Sequence, residues 1–416
     1  MKKGIFAKNF DQWLLILLIL SLPFERLGTI DLFGYTLKFS YLLLVIIICK
    51  FFIDYFKSKN QPIKLSFAEK YLLAFSGLNL LSVVWSIDTK RSLIIGLILI
   101  FLALAVIVLK RWITLDNRPK FEELIINLSL VVSIFGLWQF FAGSIPCLER
   151  FSFLRESYRS QIFGFPRIQT TFLEPLYYAN FLLFPILLLI KKIFASNRYQ
   201  EYLKLILIAL SFFLTLSRGA IFSLLIILII LSIFLLLLHR EKLMIYAKVA
   251  ASVLLAFIFA IFLIYSTADK TGVDKFLGHT VVNDIKTGES VVDRLGTADS
   301  ALKTAVGHPF GLGAGAFGAL PQFSGRSDYQ IVNNLYLEIL VESGIFGLFL
   351  SSGFFFLLLR KLWQNYQRSG FSNLFYLLGI LAIFIQYFSF STIYIVYVWF
   401  FIALATVESK KSIDLL

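Results

Sequence analysis

The chain has 416 residues and a net charge of +14; 59% of its residues are hydrophobic and only 15% are charged. Soluble globular chains carry about 25% charged and about 45–50% apolar residues, so this composition, with a mean hydropathy of +0.83, excludes a soluble enzyme and a nucleic-acid-binding domain. It points to a polytopic membrane protein, in which surplus Lys and Arg report sidedness rather than a nucleic-acid partner. The two cysteines, Cys49 in an apolar segment and Cys147 in a loop, predict neither an intramolecular disulfide nor a metal cluster.

A bilayer core of about 30 Å takes roughly 20 apolar residues per helix. In chain order the predicted spans are Gln12 to Phe24, Ser40 to Phe56, Lys70 to Trp85, Ser92 to Leu109, Leu124 to Phe141, Leu176 to Ile190, Leu203 to Ser217, Gly219 to Leu238, Ile245 to Tyr265, Leu335 to Leu359, Leu374 to Ser389 and Ile393 to Val407. The first follows Lys2 and Lys3 as a signal peptide would. It lacks a small-residue cleavage site before Phe24-Glu25-Arg26 and is read as a retained helix. The runs on either side of Ser217-Arg218 are read as two helices, since one helix through both would be about 54 Å long.

This predicts an all-α fold: a single polytopic domain over 1–416 with about twelve transmembrane helices. An even count places both termini on one side. That side collects Lys57, Lys59, Lys64, Lys110, Arg111, Arg118, Lys120, Lys191, Lys192, Lys204, Arg360, Lys361, Lys410 and Lys411 in short loops and tails, so it is assigned to the cytoplasm. Two long loops, 142–175 and 266–334, then face outward. Long ordered loops are usually functional, and most of the unusual polar residues lie there.

Four constellations stand out. In Thr215-Leu216-Ser217-Arg218-Gly219-Ala220 an arginine sits between two tightly joined helices at the outer surface. It meets either lipid headgroups or a neighbouring carbonyl, or its planar fork holds a phosphate at a helix start. In the second outer loop, Arg294 and a predicted short helix through Lys303 lead into Gly307-His308-Pro309-Phe310-Gly311-Leu312-Gly313-Ala314-Gly315. These glycines permit sharp turns or close approach to a ligand. His308 reads as a turn residue, and His239 and His279 are too scattered for a metal triad.

In Asn333-Asn334-Leu335-Tyr336-Leu337-Glu338, with Glu342 four residues on, two carboxylates share one helical face at the start of a span. They either face a cavity or a cation, or serve the helix N-terminus. Finally, Arg167-Ile168-Gln169-Thr170-Thr171-Phe172-Leu173-Glu174-Pro175 enters the sixth span with proline in its first turn. It brings an arginine and an acid to the mouth of an outward cavity or simply forms the helix entry. Arg150, Arg155 and Arg159 enrich the same loop in positive charge, which suits polyanions or phosphorylated lipids.

In this order the segments resemble the O-antigen ligase and O-antigen polymerase superfamily. The resemblance rests on Ser217-Arg218-Gly219, Arg294, Gly307-His308-Pro309 with Gly311-Leu312-Gly313, and Asn334 through Gly347. It implies a GT-C-like membrane glycosyltransferase of the bacterial inner membrane, working at the outer face on a glycan linked to undecaprenyl diphosphate and needing no metal or other cofactor. The acceptor is another lipid-linked repeat unit for a polymerase, and a lipid A-core sugar for a ligase.

The family's diphosphate-binding arginines correspond to Arg218 and Arg294, with Arg167 and Asn334 as further substrate-binding candidates. Ligases typically carry a histidine where this chain has Asn333, and a neutral amide is no general base. That departure, and the likeness of Thr171 to Pro175 to a polymerase motif, favour a polymerase-type enzyme, with Glu174, Glu338 or His308 as candidates to activate the acceptor hydroxyl. The competing class is a transporter or flippase of a lipid-linked or anionic solute. Against it stand the missing repeat between halves and the few ionisable residues at mid-bilayer.

Overall fold

A computed structural model of the chain describes residues 2–26, 30–32, 35–57, 62–159, 164–268, 289–323 and 329–407. His279, Lys59, Lys410 and Lys411 lie outside the described residues. The described secondary structure is helical apart from one antiparallel hairpin, β1 (Ile30–Leu32) and β2 (Tyr35–Leu37).

The helices are α1 (Lys2–Ser21), α2 (Phe39–Lys57), α3 (Phe67–Leu81), α4 (Thr89–Trp112), α5 (Arg118–Ser144), α6 (Pro175–Ser196), α7 (Tyr199–Leu214), α8 (Arg218–Leu238), α9 (Leu243–Thr267), α10 (Glu289–Gly307), α11 (Leu335–Ser369), α12 (Leu374–Gln386) and α13 (Val396–Ala405). Each of the predicted apolar segments overlaps one of these helices, several of them running a few residues past its end, and α10 is the helix predicted inside the second long loop.

Among the described residues, eight helices are long and apolar enough to cross a membrane, and the chain is a multi-pass membrane protein. The remaining apolar segments are shorter: Phe10–Ser21, Phe371–Gln386 and Val396–Ala405, together with the 16-residue α7. The apolar run around Ser217-Arg218 does break, with α7 ending at Leu214 and α8 beginning at Arg218.

The chain forms two compact units. One comprises Met1–Leu43, Asp116–Lys286 and Arg368–Gln386; the other comprises Leu44–Leu115, Thr287–Gln367 and Tyr387–Leu416. In the first, α6 is the central helix. Fourteen of its residues from Tyr178 to Ile193 are buried, against α12, α7 and α5. Such an all-round apolar helix belongs inside a bundle. In the second, α3 pairs with α4, and α13 packs on α4.

Acidic residues at the helix ends predicted to face the cytoplasm are buried but paired. Glu122 takes Lys191 at 2.6 Å and Arg118 at 3.4 Å, Glu201 takes Lys192 at 3.0 Å, and Glu69 takes Lys110 at 3.1 Å. Pairing is what makes a buried carboxylate tolerable there.

Candidate functional site

The first unit holds the arginine turn. Leu216 lies in the left-handed region at φ 52°, so the chain reverses between α7 and α8 in three residues. Thr215 braces the reversal: its hydroxyl donates to the Phe212 carbonyl at 2.7 Å and accepts the Ser217 amide at 3.2 Å. Arg167, from the first long loop, donates through Nε to the Thr215 carbonyl at 2.8 Å and through Nη2 to the Leu216 carbonyl at 3.5 Å. These carbonyls belong to the end of α7, where orphan acceptors need donors. The turn that presents Arg218 is therefore held by a second arginine. Arg218 itself is the first residue of α8 and is exposed.

Glu174 sits at the start of α6, immediately before Pro175 at its first position, and caps nothing with its side chain. Its carbonyl accepts the amides of Tyr177 and Tyr178. Burial and the Glu174 carboxylate push the Tyr158 phenol up to about 12, with Arg167 and Arg155 opposing. Tyr158 thus marks a place where the carboxylate and two guanidinium groups act on one side chain. Its ring centroid is 6.0 Å from the Arg167 guanidinium. Arg155 donates to the Leu173 carbonyl at 3.2 Å, and Arg26 to the Phe153 carbonyl at 3.0 Å. Burial and the charge of Arg155 lower the Arg26 pKa. Arg155, Arg167 and Arg26 therefore crowd one side of a loop whose backbone they also tie down, leaving net positive charge beside a carboxylate. Sequence reasoning missed Arg26, which sits just past α1 and belongs to no motif.

The second unit holds the remaining predicted residues. Arg294 lies on α10 and is exposed, while Thr297 and Ala301 on the same helix turn inward. Ala301 packs with Leu312, Ala316, Phe317, Val332 and Val341, which fixes α10 against the glycine-rich segment and α11. His308 closes α10: its Nδ1 lies 3.1 Å from the Thr304 carbonyl oxygen and the ring is exposed.

The glycine-rich segment runs beside a break in α11. Gly344 has φ 68° and ψ −169°, so α11 consists of two helical pieces, 335–343 and 345–369. The break frees the Val341 and Glu342 carbonyls, which accept the Leu312 amide at 3.0 Å and the Gly313 amide at 2.9 Å. The Glu342 carboxylate completes the arrangement, taking the Gly315 amide at 2.7 Å and the Phe317 amide at 3.3 Å. Glu342 is thus an anchor for the loop.

Glu338, one turn earlier on the same face, is differently placed. It is 6% exposed, and its Oε2 is buried without a hydrogen-bond partner. The backbone of Val332 and the Ser391 hydroxyl lie beside the carboxyl, but Ser391 Oγ also makes no hydrogen bond. Asn334 caps α11, its Oδ1 accepting the amides of Tyr336 and Leu337 at 3.1 and 3.2 Å, and Asn333 before it is left-handed at φ 57°. A cap of this kind stabilises a helix start by about 1 kcal/mol.

The residue sequence reading missed here is Arg91, in the first turn of α4. The Asp88 carboxylate accepts the Arg91 amide at 3.0 Å as the helix cap, and the Arg91 guanidinium lies over the Tyr329 ring at 3.5 Å from its centroid. Tyr329 in turn donates to the Gly315 carbonyl at 2.7 Å, and its phenol is held above the ordinary range by burial, with Arg91 opposing. A charged residue at the predicted outer end of a span was the one available signal. Among the described residues, no group of three or more His, Cys, Asp or Glu side chains is placed to hold a metal ion.

Residues 203–352, from α7 into α11, are similar to the family described as O-antigen ligase. The match takes in Arg218, Arg294, the glycine-rich segment, Asn333, Asn334 and Glu338, and ends before α12. No curated protein matches the chain.

Proposed function

We propose that the chain is a membrane glycosyltransferase of surface-polysaccharide synthesis that moves a glycan from undecaprenyl diphosphate to a sugar hydroxyl at the outer face of the inner membrane. The observation that carries this reading is the clamp of Arg167 on the Thr215 and Leu216 carbonyls; the carbonyls lie inside the stretch similar to the O-antigen ligase family, and Arg167 lies before it. It sets the Arg218 turn rigidly, with Arg155 and Glu174 close to Arg167. Fixed cations are what a departing diphosphate requires, because they are worth most when they need no reorganisation as charge develops. Arg218 takes the diphosphate and Arg167 holds and reinforces it. Arg294, in the other unit, is a further diphosphate-binding candidate by its resemblance to the family's second arginine alone.

The chemistry is a direct displacement. The acceptor oxygen bonds to the anomeric carbon as the bond from that carbon to the diphosphate oxygen breaks. The electron pair leaves with the diphosphate, and the hydroxyl proton passes to a carboxylate. Glu174, beside the arginines, fills that role in this reading, since a base must stand within hydrogen-bond reach of its proton; Glu338 is the alternative. Asn333 and Asn334 shape the start of α11 rather than move a proton.

A polymerase-type acceptor, the next lipid-linked repeat unit, fits Asn333 in place of histidine. The family's own description favours the second reading, transfer to lipid A-core or another acceptor. Purified protein reconstituted with lipid-linked repeat units, resolved by gel and mass spectrometry, separates the readings. A ladder spaced by one repeat supports the polymerase. A single transfer only to an added lipid A-core acceptor supports the ligase. Donor recovered chemically unchanged on the opposite side of the vesicle overturns the enzyme in favour of a transporter.

A further inference from the structure

The second unit contains buried polar atoms that the diphosphate-binding arginines of the first unit do not engage, Glu338, the alternative base, among them. Arg91 Nε, Glu338 Oε2 and Ser391 Oγ are all buried and all lack a hydrogen-bond partner. Unpaired buried donors and acceptors are costly, about 1–3 kcal/mol each and more when charged, so three in one neighbourhood need a reason. They do share a neighbourhood. The Arg91 side chain packs on Gly315, where an added Cβ would stand 3.4 Å from both its Cγ and its Nε. The Gly315 amide is held by Glu342 and its carbonyl by Tyr329, and Glu338 is one helical turn from Glu342 with Ser391 beside it.

A guanidinium and a carboxylate lie close enough to act on each other electrostatically, and no ion pair joins them. What would satisfy both must accept hydrogen bonds from Arg91 and donate one to Glu338. An inorganic anion serves the first and is repelled by the second, and by Glu342 behind it. Vicinal hydroxyl groups of a sugar ring do both, and Ser391 adds a group that can act either way. The Arg91 fork is already oriented by stacking on Tyr329, so little freedom is lost on binding.

We infer that Arg91, Glu338 and Ser391 form a glycan-binding subsite that grips a pair of neighbouring sugar hydroxyls. The inference extends the proposed glycosyltransferase reading by assigning a saccharide-recognising pocket to the second unit, and it is tested by binding rather than by turnover. The probes are the lipid-free repeat-unit oligosaccharide released from the cell's own surface polysaccharide, and inorganic pyrophosphate, each titrated against the purified full-length chain by calorimetry.

Arg91→Met and Glu338→Gln should each weaken oligosaccharide binding about tenfold or more, the loss of one hydrogen bond to a charged group, and leave pyrophosphate binding unchanged. Arg91→Lys keeps the charge without the planar fork and should fall between Arg91→Met and the natural protein, which guards against misreading a folding defect. Equal oligosaccharide affinity in all these proteins overturns the subsite, as does no oligosaccharide binding by the natural protein. Loss of pyrophosphate rather than oligosaccharide in Arg91→Met overturns it in favour of an anion site. If oligosaccharide binding shows the predicted pattern while lipid-linked donor yields no transfer product, the subsite stands and the enzyme reading fails.

Discussion

Gly311 and Gly344 face each other backbone to backbone: an added Cβ on Gly311 would lie 2.2 Å from the Glu342 carbonyl oxygen, and one on Gly344 would lie 2.3 Å from the Pro309 carbonyl oxygen. Both are left-handed, at φ 82° and 68°, and the Ile345 amide donates to the Pro309 carbonyl at 3.0 Å across the contact. The helix break and the glycine-rich segment are therefore one device. Left-handed backbone costs a residue with a Cβ about 1–2 kcal/mol, and here backbone would also have to move. Gly311→Ala and Gly344→Ala should each lower the melting midpoint of the purified protein in detergent and lose transfer. Natural melting behaviour in both would mean that the two segments can part without consequence.

The two glutamates of α11 should separate cleanly. Glu342 holds two backbone amides, and Glu342→Gln offers them a group that is half donor, so it should cost on the order of 1–3 kcal/mol of stability. Glu338 leaves Oε2 without a hydrogen bond, and Glu338→Gln should leave the melting midpoint within a degree or two while weakening substrate handling. Melting curves of the two variants side by side decide it. A larger loss in Glu338→Gln would show that its orphaned oxygen supports the fold.

Much of this was legible in the sequence. The apolar runs, the break at Ser217-Arg218, the helix after Arg294 and the shared face of Glu338 and Glu342 follow from length and helical period alone. The division of labour between those glutamates was not legible, because it depends on where the glycine-rich segment lies in space. Period places two acids on one face, but only the fold gives one of them amides to bind and leaves the other with a bare oxygen. Arg91 escaped for a similar reason. Its neighbour Tyr329 is over two hundred residues away, and no local pattern marks a cation whose partner is an aromatic ring. Arg167 was visible as a charge near a helix entry, but its grip on the Thr215 and Leu216 carbonyls was not.

At the start of α11 two adjacent asparagines do different things. Asn334 caps the helix, so Asn334→Ala should cost about 1 kcal/mol, whereas Asn334→Asp or Asn334→Ser should be close to neutral. Asn333 is left-handed, a conformation that asparagine and glycine tolerate and β-branched residues do not. Asn333→Gly should therefore fold and retain activity, and Asn333→Val should lower the melting midpoint. An inactive but fully stable Asn333→Gly protein would assign the Asn333 amide a direct role with substrate.

The arginine turn gives the sharpest test of the reaction. Arg218 is exposed, so Arg218→Ala should leave insertion and melting unchanged while abolishing transfer and pyrophosphate binding. Arg167 binds carbonyls through two different nitrogens, a geometry that an ammonium group cannot reproduce. Arg167→Lys should accordingly reduce transfer by tenfold or more despite keeping the charge, and should loosen the turn measurably, as faster amide exchange at Leu216 and Ser217. Full transfer activity in Arg218→Ala would remove the diphosphate role from this turn. Full activity in Arg167→Lys, with unchanged exchange, would show that the α7–α8 reversal is set by Thr215 alone.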